Sequence, residues 1–240
     1  MKIGVFVALP REARAIFGSS SWVKKGNIYF KKITRQDTTI EIIACGQGEG
    51  GVIRAFSAFK KSGVQKIINL GVVGALIDGL EQGDLIVPNF LLSEYGEISL
   101  LEESEKLKRI SKSANSSFKV CKLFTSREVV CSPSEKKRIY FKYGACAVDM
   151  EAFYMARLCK ESSFPFSLIK AVSDSSSQAI PREILKCSNE MGKIDYINLI
   201  KELILKPFLI KDLITIGRGF RLATKSLEKA FNSMVILGIS

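Results

Sequence analysis

The chain has 240 residues, 47% of them hydrophobic, and a formal net charge of +12 without any histidine. The length fits one large α/β domain or two small ones, and we expect a single domain over residues 1–240. The lack of histidine excludes Ser-His-Asp and Cys-His catalysis, and six scattered cysteines without a C-x-x-C pair argue against a zinc site or a disulfide framework.

The basic residues are dispersed, so a solvated basic surface is the simplest interpretation of the charge. Contact with an anionic membrane comes next, and nucleic-acid binding is the least favoured. No apolar run reaches the ~18 residues that a membrane span needs, and residues 1–9 are too short for a signal peptide. We therefore expect a cytoplasmic protein, with any membrane contact at the inner face.

The apolar pattern predicts strands and helices in alternation. In chain order these are a strand at 2–9, a helical turn at 12–17, strands at 27–34 and 39–44, a helix at 52–62, strands at 66–70 and 84–87, a helix at 102–113, a strand at 119–125, a helix at 134–143, a strand at 146–148, a helix at 151–160 and a strand at 166–172. A polar turn around Gln36 joins the second and third strands, and a glycine loop at 46–51 precedes the second helix.

Residues 184–231 read as amphipathic helix, interrupted at Pro207 and at 217–219. The alternation predicts an α/β fold, a three-layer domain with a central twisted mixed sheet flanked by helices. Residues 193–240 are predicted to form a helical C-terminal appendage of the same domain.

Two carboxylates stand at strand ends on either side of one predicted helix. Glu151 follows the strand at 146–148, and Asp174 follows the strand at 166–172. Polar residues at strand carboxyl ends face the ligand crevice of an open α/β sheet. Two acids there can divide the work of glycosidic cleavage, one protonating and one holding the sugar. Taken singly, Asp174 is equally well a helix N-cap, and Glu151 equally well opens a helix.

Three further features also have two interpretations. Glu12 follows the first strand, where a carboxylate stabilises a helix dipole as readily as it serves a reaction. The loop that begins at Gly46 exposes backbone amides to an anion or a ribose, but it is equally a tight turn. Gly71 and Gly74 end a buried strand and would let the sheet edge contact a flat heterocycle.

Taken together, these features resemble the purine nucleoside phosphorylase and methylthioadenosine/S-adenosylhomocysteine nucleosidase superfamily. The stretches A-V-D-M-E-A at 147–152 and A-V-S-D at 171–174 are similar to that family's A-V-E-M-E-A and A-I-S-D, and I-I-N-L-G-V-V-G at 67–74 is similar to I-I-N-T-G-S-A-G. The resemblance runs from residue 1 to about residue 174. It implies a nucleoside phosphorylase-like fold and an enzyme that cleaves N-glycosidic bonds, either a purine nucleosidase or a nucleoside phosphorylase.

Beyond Asp174 the resemblance narrows to the hopanoid-associated phosphorylases. I-P-R-E-I-L at 180–185, G-K-I at 192–194 and K-P at 206–207 are similar to that branch. Its members cleave adenine from a ribosyl-linked triterpenoid lipid. The resemblance therefore implies a 5′-lipid-substituted adenosine, adenosylhopane, as the substrate in hopanoid synthesis.

The resemblance also implies roles for individual residues. Asp174 would protonate or hydrogen-bond purine N7, and Glu12 would orient or deprotonate the attacking water. Glu151 would hold the ribose hydroxyls, and Met150 would pack under the ribose. The other implied substrate-binding residues are Gly46, Gly71, Val72, Val129 and Val130. No metal and no cofactor are implied, and inorganic phosphate is a co-substrate only if the reaction is phosphorolysis.

The sequence departs from the family pattern at the predicted site. The nucleosidases have a serine where Val72 stands, and Val129 and Val130 replace an aromatic–aliphatic pair, which suits an apolar 5′ substituent. Glu12 stands where many phosphorylases carry an arginine for phosphate. A carboxylate repels the phosphate dianion, so hydrolysis is favoured over phosphorolysis, although Arg11 or Arg54 could supply a phosphate ligand.

Three alternatives stay open. A methylthioadenosine, S-adenosylhomocysteine or futalosine hydrolase is the nearest enzymatic one, and a phosphorolytic nucleoside phosphorylase is another. A non-catalytic nucleoside-binding protein on the same scaffold is the third. The family also implies a homo-oligomer, and the basic amphipathic C-terminal helices could rest on an anionic membrane.

Overall fold

The computed structural model describes residues 1–35, 37–113 and 118–236. Gln36, the centre of one predicted turn, lies outside the described residues. Residues 237–240, the end of the predicted appendage, also lie outside them. The strands are β1 (Lys2–Val7), β2 (Val23–Lys25), β3 (Ile28–Arg35), β4 (Thr38–Ala44), β5 (Lys66–Ala75), β6 (Leu85–Ser93), β7 (Gly96–Ser99), β8 (Phe118–Thr125), β9 (Ala147–Asp149) and β10 (Phe166–Asp174). The helices are α1 (Pro10–Phe17), α2 (Gly48–Ser62), α3 (Leu101–Ser113), α4 (Pro133–Tyr143), α5 (Ala152–Glu161), α6 (Arg182–Lys186), α7 (Tyr196–Leu205) and α8 (Leu209–Ile236).

The described strands form one mixed sheet. Its order is β10-β6-β8-β9-β5-β1-β4-β3-β2, with β7 paired to β6. Strands β4, β1, β5 and β10 are parallel neighbours, whereas β6 joins β10 in antiparallel fashion. Because β10 pairs with both β6 and β5, the strands β5, β9, β8, β6 and β10 close into a ring. The predicted α/β fold with a mixed sheet flanked by helices is confirmed.

The strands that are easiest to predict are those buried almost along their whole length. β1, β5 and β10 carry runs of valine, isoleucine and leucine because both faces of a parallel sheet are covered by other elements. The sequence pattern does not predict β2 and β7. They have three and four residues and are mostly exposed, so they lack an apolar signal.

Helix α2 begins earlier than predicted. The pattern places a loop at 46–51, but the helix starts at Gly48, so the loop prediction is wrong for the last four of these six residues. Gly51, in the first turn of α2, serves a close contact. A Cβ atom on it would lie 2.0 Å from the carbonyl oxygen of Gly46 just before the helix, so glycine is required there by this contact and not by a loop conformation.

Helix α8 packs against α1 and β10 through buried Ala223, Leu227 and Phe231. The helix break predicted at Pro207 is confirmed, since α7 ends at Leu205 and α8 begins four residues later. Among the described helices, none combines the length and the apolar character needed to cross a bilayer.

The second interruption, predicted at 217–219, is wrong, because α8 runs through it without a break. A Cβ atom on Gly219 would lie 1.9 Å from the carbonyl oxygen of Ser173 and 2.6 Å from Nε2 of Gln82. This glycine lets a continuous helix approach the end of β10. A Cβ atom on Gly217 would have no other atom within 4 Å, so this glycine is tolerated in the helix although it makes no such contact.

Candidate active site

A cavity of about 170 Å³ lies where β1, β5, β9 and β10 end. The three carboxylates singled out from the sequence line it together. Glu12 comes from the first turn of α1, Glu151 follows β9, and Asp174 is the last residue of β10. The parallel strands β1, β5 and β10 end at one sheet edge, and β9, which pairs antiparallel with the last residues of β5, brings Glu151 to the same place.

Glu12 is held by two backbone amides. The N–H of Val72 donates to Oε1 at 2.6 Å, and the N–H of Leu9 donates to Oε2 at 3.4 Å. The side chain is buried, and burial raises the pKa of Glu12 above its ordinary value despite these amides and the nearby Lys170 ammonium. A carboxylate in a fixed position with a raised pKa is a better proton acceptor than a solvated one.

The side chain of Glu151 lies at the N-terminus of α2. Its Oε1 accepts a hydrogen bond of 2.8 Å from the N–H of Gly48. Burial and the neighbouring Asp149 carboxylate raise the pKa of Glu151 to about 7. One amide of the glycine loop, which was predicted to attract an anion or a ribose, therefore binds a carboxylate of the chain itself.

Asp149 and Lys170 form a buried ion pair that the sequence analysis missed. Lys170 Nζ lies 2.9 Å from Asp149 Oδ2, with both side chains at most 2% exposed. Asp149 also accepts hydrogen bonds from Thr125 Oγ1 at 2.7 Å and from the N–H of Ala152 at 2.9 Å. Burial alone would lower the pKa of Lys170, but Asp149, Glu151 and Glu12 raise it. Lys170 therefore stays an ammonium among three acids.

Both members of this ion pair lie close in sequence to residues that the sequence analysis had singled out. Asp149 lies two residues before Glu151 in the same short motif, and Lys170 lies four residues before Asp174 on one strand. Gly71 makes room for this cluster, because a Cβ atom there would lie 3.2 Å from Lys170 Nζ and 3.5 Å from Glu12 Oε1.

Asp174 is paired with a second buried lysine, which the sequence analysis also missed. Lys136 Nζ, from α4, donates to Asp174 Oδ2 at 2.5 Å and to the carbonyl oxygens of Ser175 at 2.6 Å and Gln178 at 3.1 Å. The hydroxyl of Ser173 donates to Asp174 Oδ1 at 2.7 Å. All three ammonium protons thus have acceptors, so the lysine is held as a cation beside the carboxylate.

The rest of the lining is largely apolar. Met150, Val72, Val129 and Val130 line the cavity, as predicted binding residues would. Gly46 is not among the described lining residues. Its φ of +103° and its position against Arg54 and Met191 give it a structural reason of its own.

Acidic groups outnumber basic ones around the cavity. Among the described lining residues Lys170 is the one cation, against five carboxylates: Glu12, Glu128, Asp149, Glu151 and Asp174. Neither arginine suggested as a phosphate ligand is in the described lining. Arg11 lies over the ring of Phe220, 4.7 Å from its centroid, and Arg54 donates to the carbonyl oxygen of Cys45 at 2.8 Å.

Comparison with known proteins identifies the family. The family model described as the phosphorylase superfamily matches residues 2–191. This chain belongs to the phosphorylase superfamily. The matched residues reach from β1 to the loop before α7 and include every residue of the cavity described above.

Relatives within the phosphorylase superfamily are nucleosidases by name. The chain is 30% identical over 200 residues to a 5′-methylthioadenosine/S-adenosylhomocysteine nucleosidase of Buchnera aphidicola, covering 73% of this chain and 79% of that protein. It is 26% identical over 174 residues to an aminodeoxyfutalosine nucleosidase of Helicobacter pylori, covering 64% and 74%.

Solved structures show the same phosphorylase fold. The chain superposes on the Helicobacter pylori 5′-methylthioadenosine/S-adenosyl homocysteine nucleosidase, in complex with a small molecule, with a TM-score of 0.77 over 99% of each chain at 19% identity. The native futalosine hydrolase of the same organism gives a TM-score of 0.76 over 99% of this chain and 98% of that one, also at 19% identity.

Proposed function

We propose that this superfamily member cleaves the N-glycosidic bond of an adenine nucleoside and releases adenine. The observation that carries the proposal is the convergence of Glu12, Glu151 and Asp174 on one cavity. The names of the relatives support it, since they are nucleosidases. The reaction needs a group at the leaving base, a group at the sugar and a group at the nucleophile, and three separate carboxylates supply these positions.

The proposed mechanism assigns one step to each acid. Water attacks the anomeric carbon while Glu12, held by the amides of Val72 and Leu9, takes its proton. As the bond from the anomeric carbon to purine N9 breaks, its electron pair goes to the base and Asp174 donates a proton to N7, so adenine leaves as a neutral molecule. The proton that Glu12 took is lost to solvent, and Asp174 regains one from solvent. Glu151 binds the ribose hydroxyls, and Met150 packs under the sugar.

Water is proposed as the nucleophile in preference to phosphate. Lys170 is the one cation in the described lining and it is already paired with Asp149, so a phosphate dianion would meet mostly carboxylates. We expect the free ribosyl product both with and without inorganic phosphate, as measured by chromatography of the sugar product. A strict requirement for phosphate would show that the reaction is phosphorolysis.

For the substrate, we propose an adenosine with an apolar 5′ substituent, with adenosylhopane of hopanoid synthesis as the specific candidate. Apolar lining residues such as Val72, Val129 and Val130 support this choice. The names of the relatives favour methylthioadenosine, S-adenosylhomocysteine or aminodeoxyfutalosine instead. Comparing kcat/KM for adenine release from these soluble nucleosides and from adenosine with a long 5′ alkyl chain decides between them.

Replacing the proposed acid tests the chemistry itself. Asp174→Asn should lower adenine release by about 100-fold or more, the usual effect of losing a general acid, while the far-UV circular dichroism stays unchanged. A wild-type rate in this variant would remove Asp174 from the mechanism. Nucleoside binding in calorimetry without adenine release from any substrate would favour a non-catalytic nucleoside-binding protein.

Two further expectations from the sequence are also proposals. One is a homo-oligomer, which light scattering coupled to size-exclusion chromatography measures directly. The other is a cytoplasmic location with peripheral contact to an anionic membrane, which a lipid-linked substrate would require.

A further inference from the structure

Exposed apolar side chains concentrate on α7 and the first turns of α8. Fifteen large hydrophobic residues are exposed in the described part of the chain, and eight of them fall within residues 196–214. These eight define the α7–α8 surface: Tyr196, Ile197, Ile200, Ile204, Leu205, Phe208, Ile210 and Ile214. Isolated exposed hydrophobic residues are ordinary, but a contiguous group of this size marks an interaction surface.

Helix α7 has its apolar stripe on the outside. Ile197, Ile200 and Ile204 are spaced by three and four residues, so they share one helix face, and all are more than half exposed. Leu199 is the residue of α7 that is buried. The most exposed of the group is Leu205, at 75%, beside the turn that joins α7 to α8. The exposed apolar side chains thus continue from α7 through the turn that leads to α8.

Exposed lysines lie in the same stretch of chain as the α7–α8 surface: Lys193, Lys201 and Lys211. Two of the acidic residues nearby have partners within the chain, since Asp195 caps α7 and Glu202 lies 3.8 Å from Lys206, and a third, Asp212, lies in the first turn of α8. Exposed apolar side chains interspersed with lysines match an anionic lipid bilayer, where the former enter the acyl boundary and the latter meet headgroup phosphates.

The segment before α7 connects this surface to the cavity. The carbonyl oxygen of Glu190 accepts a hydrogen bond of 3.1 Å from the N–H of Gln47. Gly192 packs on Leu9, because a Cβ atom there would lie 3.0 Å from the leucine methyl groups. Gln47 and Leu9 both line the cavity. The segment that leads into α7 therefore contacts the rim of the cavity, so α7 begins close to it.

We infer that the α7–α8 surface docks the protein on an anionic lipid bilayer and presents the cavity to molecules dissolved in it. This inference rests on the exposed side chains and their charges. It specifies the membrane contact proposed above, but it does not require the nucleosidase activity, and its test measures binding without turnover.

The test uses the full chain and sedimentation with sucrose-loaded vesicles. Vesicles of phosphatidylcholine with 30% phosphatidylglycerol should bind the protein at least tenfold more tightly than pure phosphatidylcholine, and 0.5 M salt should weaken this binding. Phe208→Ser should weaken binding about tenfold, because a phenylalanine side chain no longer enters the bilayer. Phe141→Ser is the matched control, since Phe141 is 71% exposed and Phe208 is 68% exposed.

Two double variants, each of which removes two lysine charges, test the electrostatic part of the proposed contact. Lys201→Gln with Lys211→Gln should reduce binding to the anionic vesicles, whereas Lys60→Gln with Lys61→Gln, on exposed positions of α2, should not. Failure of the wild-type protein to bind either vesicle overturns the inference. Equal losses for the Phe208 and Phe141 variants overturn it as well, as does a dimer in light scattering that Phe208→Ser dissociates, because the surface would then bind a second copy.

Discussion

Replacing Lys136 by methionine tests the electrostatic arrangement around Asp174. The lysine side chain is 1% exposed and the carboxylate it contacts is 11% exposed. Methionine keeps most of the aliphatic volume and removes the ammonium. It leaves three acceptors without their donor: Asp174 Oδ2 and the carbonyl oxygens of Ser175 and Gln178.

The expected cost is large for a single substitution. Breaking a buried ion pair by removing one partner destabilises a protein by about 3–5 kcal/mol, because the remaining charge is buried without compensation. Typical domains are stable by about 5–15 kcal/mol, so the variant should still fold at 25 °C. Urea unfolding at pH 7.5 measures the difference. Lys137→Met is the matched control, and it should change stability by no more than about 0.5 kcal/mol, because Lys137 is exposed on the same helix.

The double variant Lys136→Met with Asp174→Asn separates a pair from two independent residues. Removing both charges should recover part of the stability lost in Lys136→Met alone, and adenine release should be no slower than in Asp174→Asn alone. Equal stabilities for Lys136→Met and Lys137→Met would refute the reasoning, because the ammonium would then not be buried against Asp174. Additive losses of activity would refute the view that Lys136 acts through Asp174.

Two further predictions concern the pKa of Glu151 and the packing of α8. Burial raises the pKa of Glu151 from 4.5 to about 7, so between these pH values the folded protein keeps a proton that the unfolded chain has released. The free energy of unfolding should therefore fall by about 3 kcal/mol as the pH rises through that window. Glu151→Gln should flatten this fall, as measured by urea unfolding between pH 4.5 and 8. An unchanged pH dependence in the variant would contradict the raised pKa of Glu151. Gly219→Ala should lower the melting temperature through a steric cost of about 1–3 kcal/mol, because its Cβ would meet Ser173 and Gln82. Gly217→Ala, in open space on the same helix, should raise stability by about 0.5–1 kcal/mol, and similar effects of the two would show that α8 does not approach β10 there.

Much of the fold was predictable because burial leaves a local signature. β1, β5 and β10 are apolar almost throughout, since residues on both sides of these strands are covered. The glycines had no such signature. The sequence pattern predicts that Gly51 lies in a loop and that Gly219 interrupts a helix. In the structure both lie within helices, and each allows a close approach to a backbone carbonyl group. Whether a glycine ends an element or permits a contact depends on what lies against it.

The sequence by itself determined the α/β class and the placement of three acids at or shortly after strand ends, because strands of this class carry ligand-facing polar residues where they end. Only the tertiary structure decided which cations accompany them. Lys136 lies 38 residues from Asp174, and Lys170 lies 21 residues from Asp149. A lysine on a predicted helix or strand carries no local mark of burial, since its compensating charge comes from another element, and that pairing exists only once the sheet has formed.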